Sequence, residues 1–282
     1  MSLDSKLDYK DTKPPRDLSS KDLVFLKRWI GDESKTEEEL TKHVLKVHAD
    51  VISQIHVYRC ISILSYLSPK ASNYPIYSDV IAQAKLLGSE MKVLDIGTCF
   101  GQEARGLIAD GVLPECIHVT DLHDFYWNAG LRLFDESNST FSVSKVNTFF
   151  GNLATPFNNS TTIATDDIIT GKGDMFHAVL CMAILHVLAK EESTDMLMRI
   201  YHILKSDGVV FGHCVGSPVA CQWGRTPTES GQIWLHDVST LETMLHSCGF
   251  REVSVTQKAH QSVTALEEDG VEKVILVFVA RK

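Results

Sequence analysis

The segment Met91–Gly111, MKVLDIGTCFGQEARGLIADG, constrains this chain more than any other. An apolar run of strand length ends on Asp95, Gly97 and Gly101 follow, and a helical pattern then begins. Strand, tight turn and helix make the first half of a βαβ unit, and the glycines permit the positive φ that such a turn requires. In sheets built from these units, ligands sit beyond the carboxyl ends of the strands.

The same texture continues. Strand patterns fall at 91–96, 116–121, 143–149, 174–181, 208–214, 251–257 and 273–280, with helical patterns near 102–110, 125–136, 190–204 and 238–248. Such alternation predicts a doubly wound, seven-stranded, mainly parallel α/β sheet with helices on both faces. REVSVTQ and KVILVFVA follow each other with only a loop between, so the final strand is expected to be antiparallel.

Upstream the signals are helical. SSKDLVFLKRWIG reads as a helix capped by Ser20 and stopped near Gly31. A Thr36/Glu39 capping box opens a longer one, with Leu40, Val44, Val47, Val51, Ile55 and Tyr58 as its stripe and Pro69 as its end. A further helix is expected from Ser78 to Gly88. The expected organisation is a flexible N-terminus (1–20), a helical lid (21–90) and a Rossmann-like catalytic domain (91–282), with loops at 158–173, 215–235 and 258–271.

Charge and composition narrow the class. Among 282 residues the net charge is −9, which argues against general affinity for nucleic acid. No apolar run approaches the roughly 20 residues that cross a bilayer, and the polar N-terminus has no secretory core. A cytoplasmic protein with no membrane partner is expected, and the sequons at Asn138 and Asn159 then carry no weight. The seven scattered cysteines contain no CxxC and read as reduced, mostly buried thiols.

Three details bear on the ligand of the glycine turn. A phosphate-cradling P-loop needs Lys and Ser/Thr after its last glycine, where Gln102 and Glu103 stand. The spacing G-x-x-x-G is not the dinucleotide fingerprint G-x-G-x-x-G. Asp95, just before the first glycine, opposes a pyrophosphate but suits an ammonium group. A ligand with an amino-acid end and no phosphate fits best, namely S-adenosylmethionine (SAM). Asp121 ends the next strand, 20 residues after Gly101, where an acid accepts hydrogen bonds from ribose hydroxyls.

VLDIGTCFGQEARGLIADGV, VTDLHDFYWNAGLRLFDE and AILHVL resemble class I SAM-dependent methyltransferases. More narrowly, with YRCISILSYLSP, YPIYSDVI and WLHDVSTLETML, they resemble the fungal small-molecule carboxyl O-methyltransferases of the terretonin, austinol and andrastin pathways. The resemblance covers residues 55 to 250. It implies that Asp95, Gly97, Thr98, Gly101 and Gln102 surround the methionine end of SAM. Asp121 would hold the ribose, and Leu122 would pack on the adenine. Asn152 and Leu153 would meet the base, with Asn152 standing where the group usually has an acid. Cys181 and Met182 would lie beneath the sulfonium, and Tyr58 and Arg59 would face the cleft from the lid.

The acceptor decides what else is needed. A carboxylic acid is already ionised at neutral pH and needs only donors to orient it, whereas a phenol or alcohol needs a base, usually His. Candidates are His186, His213 and His236, with Arg59 as a carboxylate clamp. Arg225, Gln232, Trp223 and Trp234 could line the substrate. The leading expectation is a methyl ester formed on a small organic acid. A phenol or alcohol O-methyltransferase using His186 or His236, and a catalytically silent SAM-binding protein of a complex, are the alternatives. No metal is expected, since Asp166 and Asp167 sit in a polar loop apart from Asp174. The apolar N-terminal helix offers a surface for a homodimer.

Overall fold

The computed structural model describes residues 18–54, 58–137, 139–155, 173–225, 231–259 and 270–282. Its strands are β1 (Val93–Ile96), β2 (Ile117–Asp121), β3 (Asn147–Phe150), β4 (Phe176–Met182), β5 (Leu204–Gly216), β6 (Cys221–Arg225), β7 (Gln232–Leu235), β8 (Arg251–Ala259) and β9 (Val274–Arg281). Seven form one sheet in the order β3-β2-β1-β4-β5-β9-β8, while β6 and β7 make a separate pair. The pairings β2 with β3, β1 with β4 and β4 with β5 are parallel. β9 runs antiparallel to both β5 and β8, as the sequence pattern led one to expect. The chain builds outward from β1 in one direction, then returns to place β4 on its other side. That reversal is the switch point at which ligands bind in sheets of this kind.

Two compact units are interleaved along the chain: Met1–Glu90 with Thr98–Phe150, and Met91–Gly97 with Gly151–Lys282. The first unit holds α1 (Ser20–Ile30), α2 (Glu37–Ile52), α3 (Arg59–Ser62), α4 (Pro75–Leu87), α5 (Gln102–Ala109) and α6 (Phe125–Leu133). The cap of α1 is Ser19 and not Ser20: Ser19 N and Oγ both donate to Asp22, at 2.8 and 2.6 Å. Gly31 ends the helix in the left-handed region. Leu23, Leu26, Trp29 and Ile30 are buried, and the Trp29 ring meets Phe134 and Phe141. The apolar face that suggested a second subunit is thus buried within this unit.

The capping box of α2 forms as expected, with Thr36 N donating to Glu39 at 2.8 Å and Glu39 N to Thr36 Oγ1 at 3.2 Å. Leu40, Val44, Val47 and Val51 are its buried stripe. Ile55 lies outside the described residues. α2 stops well short of Pro69, because Ser53 and Gln54 turn their side chains back onto the Asp50 carbonyl. Side chains that take a helix carbonyl compete with its continuation. α4 begins three residues earlier than expected, with Pro75 in the first turn, where proline's missing N–H costs nothing.

The second unit holds α7 (Lys190–Ile203) and α8 (Val238–Ser247). In β4, Ala178, Val179, Leu180 and Cys181 are all buried, the unbroken apolar run of a strand covered on both faces. The β6–β7 hairpin corrects the expectation of a loop over 215–235. Cys116, Cys181, Cys214 and Cys248 are buried, and none of the seven cysteines is joined in a disulfide. Among the described residues no helix is long and apolar enough to cross a membrane.

Candidate functional site

In the first unit the glycine turn is closed by its own backbone: Gly101 N donates to Thr98 O at 2.7 Å, and Thr98 N to Thr120 O at 3.0 Å. Gly97, Cys99 and Gly101 all take positive φ, at 68°, 53° and 72°. Asp121, at the end of β2, accepts from Cys99 N at 2.8 Å and from Leu122 N at 2.7 Å. Burial raises the Asp121 carboxyl, and these two backbone donors oppose the rise. A carboxylate oxygen has a second acceptor position, so both oxygens stay able to receive hydroxyls.

Sequence reasoning passed over the residue that holds the turn from behind. Arg105 is fully buried, and its Nη1 donates to the carbonyls of Phe100 and Gly101 at 2.7 and 3.1 Å. Its other nitrogens pair with Glu136 at 2.8 and 2.6 Å, and its guanidinium lies over Trp29, Trp127 and Phe134. Burial lowers the Arg105 pKa to about 10, which leaves the charge in place at neutral pH. Glu103, in the first turn of α5, is likewise buried and accepts from Lys70 N and Ala71 N at 2.7 and 2.9 Å. Burial pushes Glu103 up to about 7. In sequence both acids and the arginine look like a solvated helix face; only their spacing against Ala104 and Leu107 hints otherwise.

Tyr58 is half-buried, and its ring lies 6.3 Å from that of Tyr126. Burial and the Asp121 charge push its phenol upward. Cys60 and Cys99 hydrogen-bond through their side chains, a contact that lowers the Cys60 thiol and raises that of Cys99. The Gln102 side-chain oxygen is buried with no partner among the described residues.

In the second unit Asp95 is buried in β1, opposite Leu180 of β4, and its charge reaches the Cys181 thiol. A Cβ at Gly97 would lie 2.0 Å from the tip of the Ile184 side chain, at a φ of +68° that residues with side chains rarely adopt. Met182 ends β4. Asn152 and Leu153 are fastened from two directions. The Asn152 oxygen accepts from Ala154 N at 2.9 Å, and Arg199 donates to the carbonyls of Leu153 and Thr155.

The β6–β7 register separates the two tryptophans. Trp223 lies opposite Ile233 on one face of the pair, and Trp234 lies opposite Gln222 on the other. Lys273 sits over Trp223 with its Nζ 4.3 Å from the ring centroid, and Lys190 over Trp234 at 5.1 Å. His236 follows two residues after Trp234 and is buried, with Nδ1 3.2 Å from Thr240 Oγ1. Burial, reinforced by the Lys190 charge, pushes His236 down to about 4. His186 sits in the single 3₁₀ turn Leu185–Val187, and His213 lies within β5 opposite Met182. Gln232 is an exposed residue of β7. The side chains of Arg59 and Arg225 lie outside the described residues, as do Asp166, Asp167 and both sequon asparagines.

No protein-family model matches the chain. Among curated proteins it is similar to O-methyltransferase phiE of Fungal sp. (strain ATCC 74256), 25% identical over 73% of this chain and 65% of that protein. It is also 25% identical to O-methyltransferase atr3 of Stereocaulon alpinum, over 75% of this chain and 58% of that protein. Methyltransferase trt5 of Aspergillus terreus is 31% identical over a shorter stretch, 34% of this chain and 33% of its own. The matches to phiE and atr3 thus span less than two thirds of those proteins' lengths. Among solved structures, phosphoethanolamine N-methyltransferase 2 of Haemonchus contortus has a TM-score of 0.51 at 14% identity, over 94% of this chain and 61% of its own. The fold is the Rossmann-like methyltransferase fold, and the resemblance to fungal methyltransferases extends well beyond the glycine turn.

Proposed function

We propose that this chain is a SAM-dependent O-methyltransferase that forms a methyl ester on the carboxylate of a small organic acid, in the cytoplasm and in secondary metabolism. One observation carries the cofactor: β1, with Asp95 next to its end, runs into a turn with three left-handed residues, and Asp121 grips that turn through Cys99 N. The residues fit the group. Gly97 takes a positive φ that suits glycine, and Gln102 offers a buried acceptor oxygen with no partner of its own among the described residues. Asp95, Gly97, Thr98, Gly101 and Gln102 would receive the amino-acid end, Asp121 the ribose, and Leu122, Asn152 and Leu153 the base. Cys181 and Met182 would lie under the sulfonium. The fungal O-methyltransferases to which the chain is similar support the same reading.

SAM, when bound, supplies an already activated methyl group. The chain's task is to align the acceptor behind it and to exclude water. The state of His236 favours a carboxylate over a phenol. An imidazole held near 4 is neutral at pH 7 and a weak base, unsuited to taking a phenolic proton but able to remain as an uncharged polar wall. Thermal unfolding with SAM, S-adenosylhomocysteine or NAD tests the cofactor. Ligand at about 100 times its Kd stabilises by about 2.7 kcal/mol. A shift with the first two only, lost in Asp95→Ala, supports the reading, and no shift with SAM overturns it. Methyl transfer to matched acids and phenols then decides the acceptor.

A further inference from the structure

We infer that Lys190, Trp234 and His236 form a pocket for the carboxylate of the acceptor, a reading that rests on the methyltransferase assignment and adds a cation to it. Trp234 Nε1 and His236 Nε2 are both buried and have no hydrogen-bond partner among the described residues. They belong to rings set edge to face with centroids 6.4 Å apart, on the face of the β6–β7 pair away from Ile233. Buried polar atoms are normally paired, so two orphans side by side call for something to occupy them.

The charge beside them selects what that is. Lys190 Nζ stands 5.1 Å from the Trp234 ring centroid. An indole N–H and an ammonium group are donors only, so the occupant must accept hydrogen bonds and is favoured if negative. Asp237, the acid next in sequence to His236, is turned to the start of α8 and to the backbone before β6. Asp237 directs one oxygen to Thr240 N at 2.7 Å and the other to Ala220 N at 3.3 Å. Thr240 in turn faces His236 Nδ1 and leaves Nε2 for the pocket.

The place is also right. Trp234 N donates to Leu188 O at 3.1 Å, and Ile233 bridges to Ala189. Both contacts bind the hairpin to the segment that leaves the carboxyl end of β4, where sheets of this topology keep their ligands.

The test follows the Trp234 indole N–H by nitrogen-15 NMR, assigned by loss of its signal in Trp234→Phe. Benzoate and 1-naphthoate are titrated with and without S-adenosylhomocysteine, beside the neutral benzamide and 1-naphthamide. The carboxylates should move the signal and the amides should not. Lys190→Gln should weaken the carboxylate response at least about tenfold, and Lys190→Arg should restore it. Equal responses to acids and amides, no response to either acid, or an unchanged response in Lys190→Gln would overturn the pocket and leave water as the occupant. A carboxylate response in protein that fails to bind S-adenosylhomocysteine would instead sink the methyltransferase reading while the pocket stands.

Discussion

The main-chain N–H of Cys99 points into the carboxylate of Asp121 at 2.8 Å, and this bond joins the glycine turn to the end of the neighbouring strand. Cys99 holds φ at +53°, a conformation that a non-glycine residue rarely adopts without something to fix it. Asp121 thus shapes the turn, and on the proposed function the same side chain also receives the cofactor. Asp121→Asn keeps a single acceptor oxygen and should weaken SAM binding by about 10- to 100-fold, as loss of a charge-assisted hydrogen bond does. Calorimetric titration measures it; an unchanged Kd would remove Asp121 from the site.

Gly101→Ala combines a positive φ with a Cβ only 2.5 Å from Arg105 Nη1 and 2.6 Å from the Trp127 ring. Strain and overpacking together should cost about 1–3 kcal/mol. Urea denaturation of the variant should show a lower midpoint at the same slope.

Arg105→Met removes a buried guanidinium and strands the Phe100 and Gly101 carbonyls together with Glu136. Breaking such a pair costs about 3–5 kcal/mol. Because the brace stands behind the turn, SAM binding should also weaken in whatever fraction remains folded, and equilibrium unfolding with and without SAM separates the two effects.

Glu103 gives stability a pH dependence of unusual sign for an acid. Its folded pKa, about 7, lies above the ordinary glutamate value of 4.5, so its contribution is complete below about 4.5 and is lost as pH rises through about 7. Glu103→Gln should flatten the fall in stability between those limits. Denaturation midpoints from pH 4.5 to 8 test it, and parallel curves for the two proteins would count against a raised pKa.

His236 behaves in the opposite sense. A folded pKa depressed to about 4 means its contribution is intact above about 6.5 and is lost as pH falls through about 4. Its imidazole carbon-proton signals should therefore stay in the neutral position at pH 5.5, where an ordinary histidine is mostly protonated. Charging at that pH would reopen the hydroxyl-acceptor alternative.

The strands of the seven-stranded sheet were legible because turn residues or polar loops bound them, and the apolar runs of β1 and β4 mark those two as covered on both faces, unlike the largely exposed β3 and β8. The Thr36/Glu39 cap was legible for a similar reason, since its chemistry is local. The β6–β7 hairpin was not: its strands are short, and Gly224 at φ 62° with a register shift beside it breaks the alternation that would reveal them. The strand, turn and helix that carry the candidate site could be read from the spacing of Asp95, the glycines and Asp121. Arg105 and Glu103 could not, because a charged residue on an amphipathic helix looks solvated until aromatic rings and backbone donors from distant segments close over it. The same holds for Lys190, whose meaning depends on a hairpin the pattern concealed.

The place of β9 has a consequence for how the protein is made. It follows β8 in the chain yet lies between β5 and β8, so neither finds its neighbour until residues 274–281 have been synthesised. During that interval two long strands present bare edges, the kind of surface on which nascent chains pair wrongly. A ribosome that pauses before Val274 would hold the second unit half-zipped, and the yield of soluble protein should depend on how quickly that last stretch emerges.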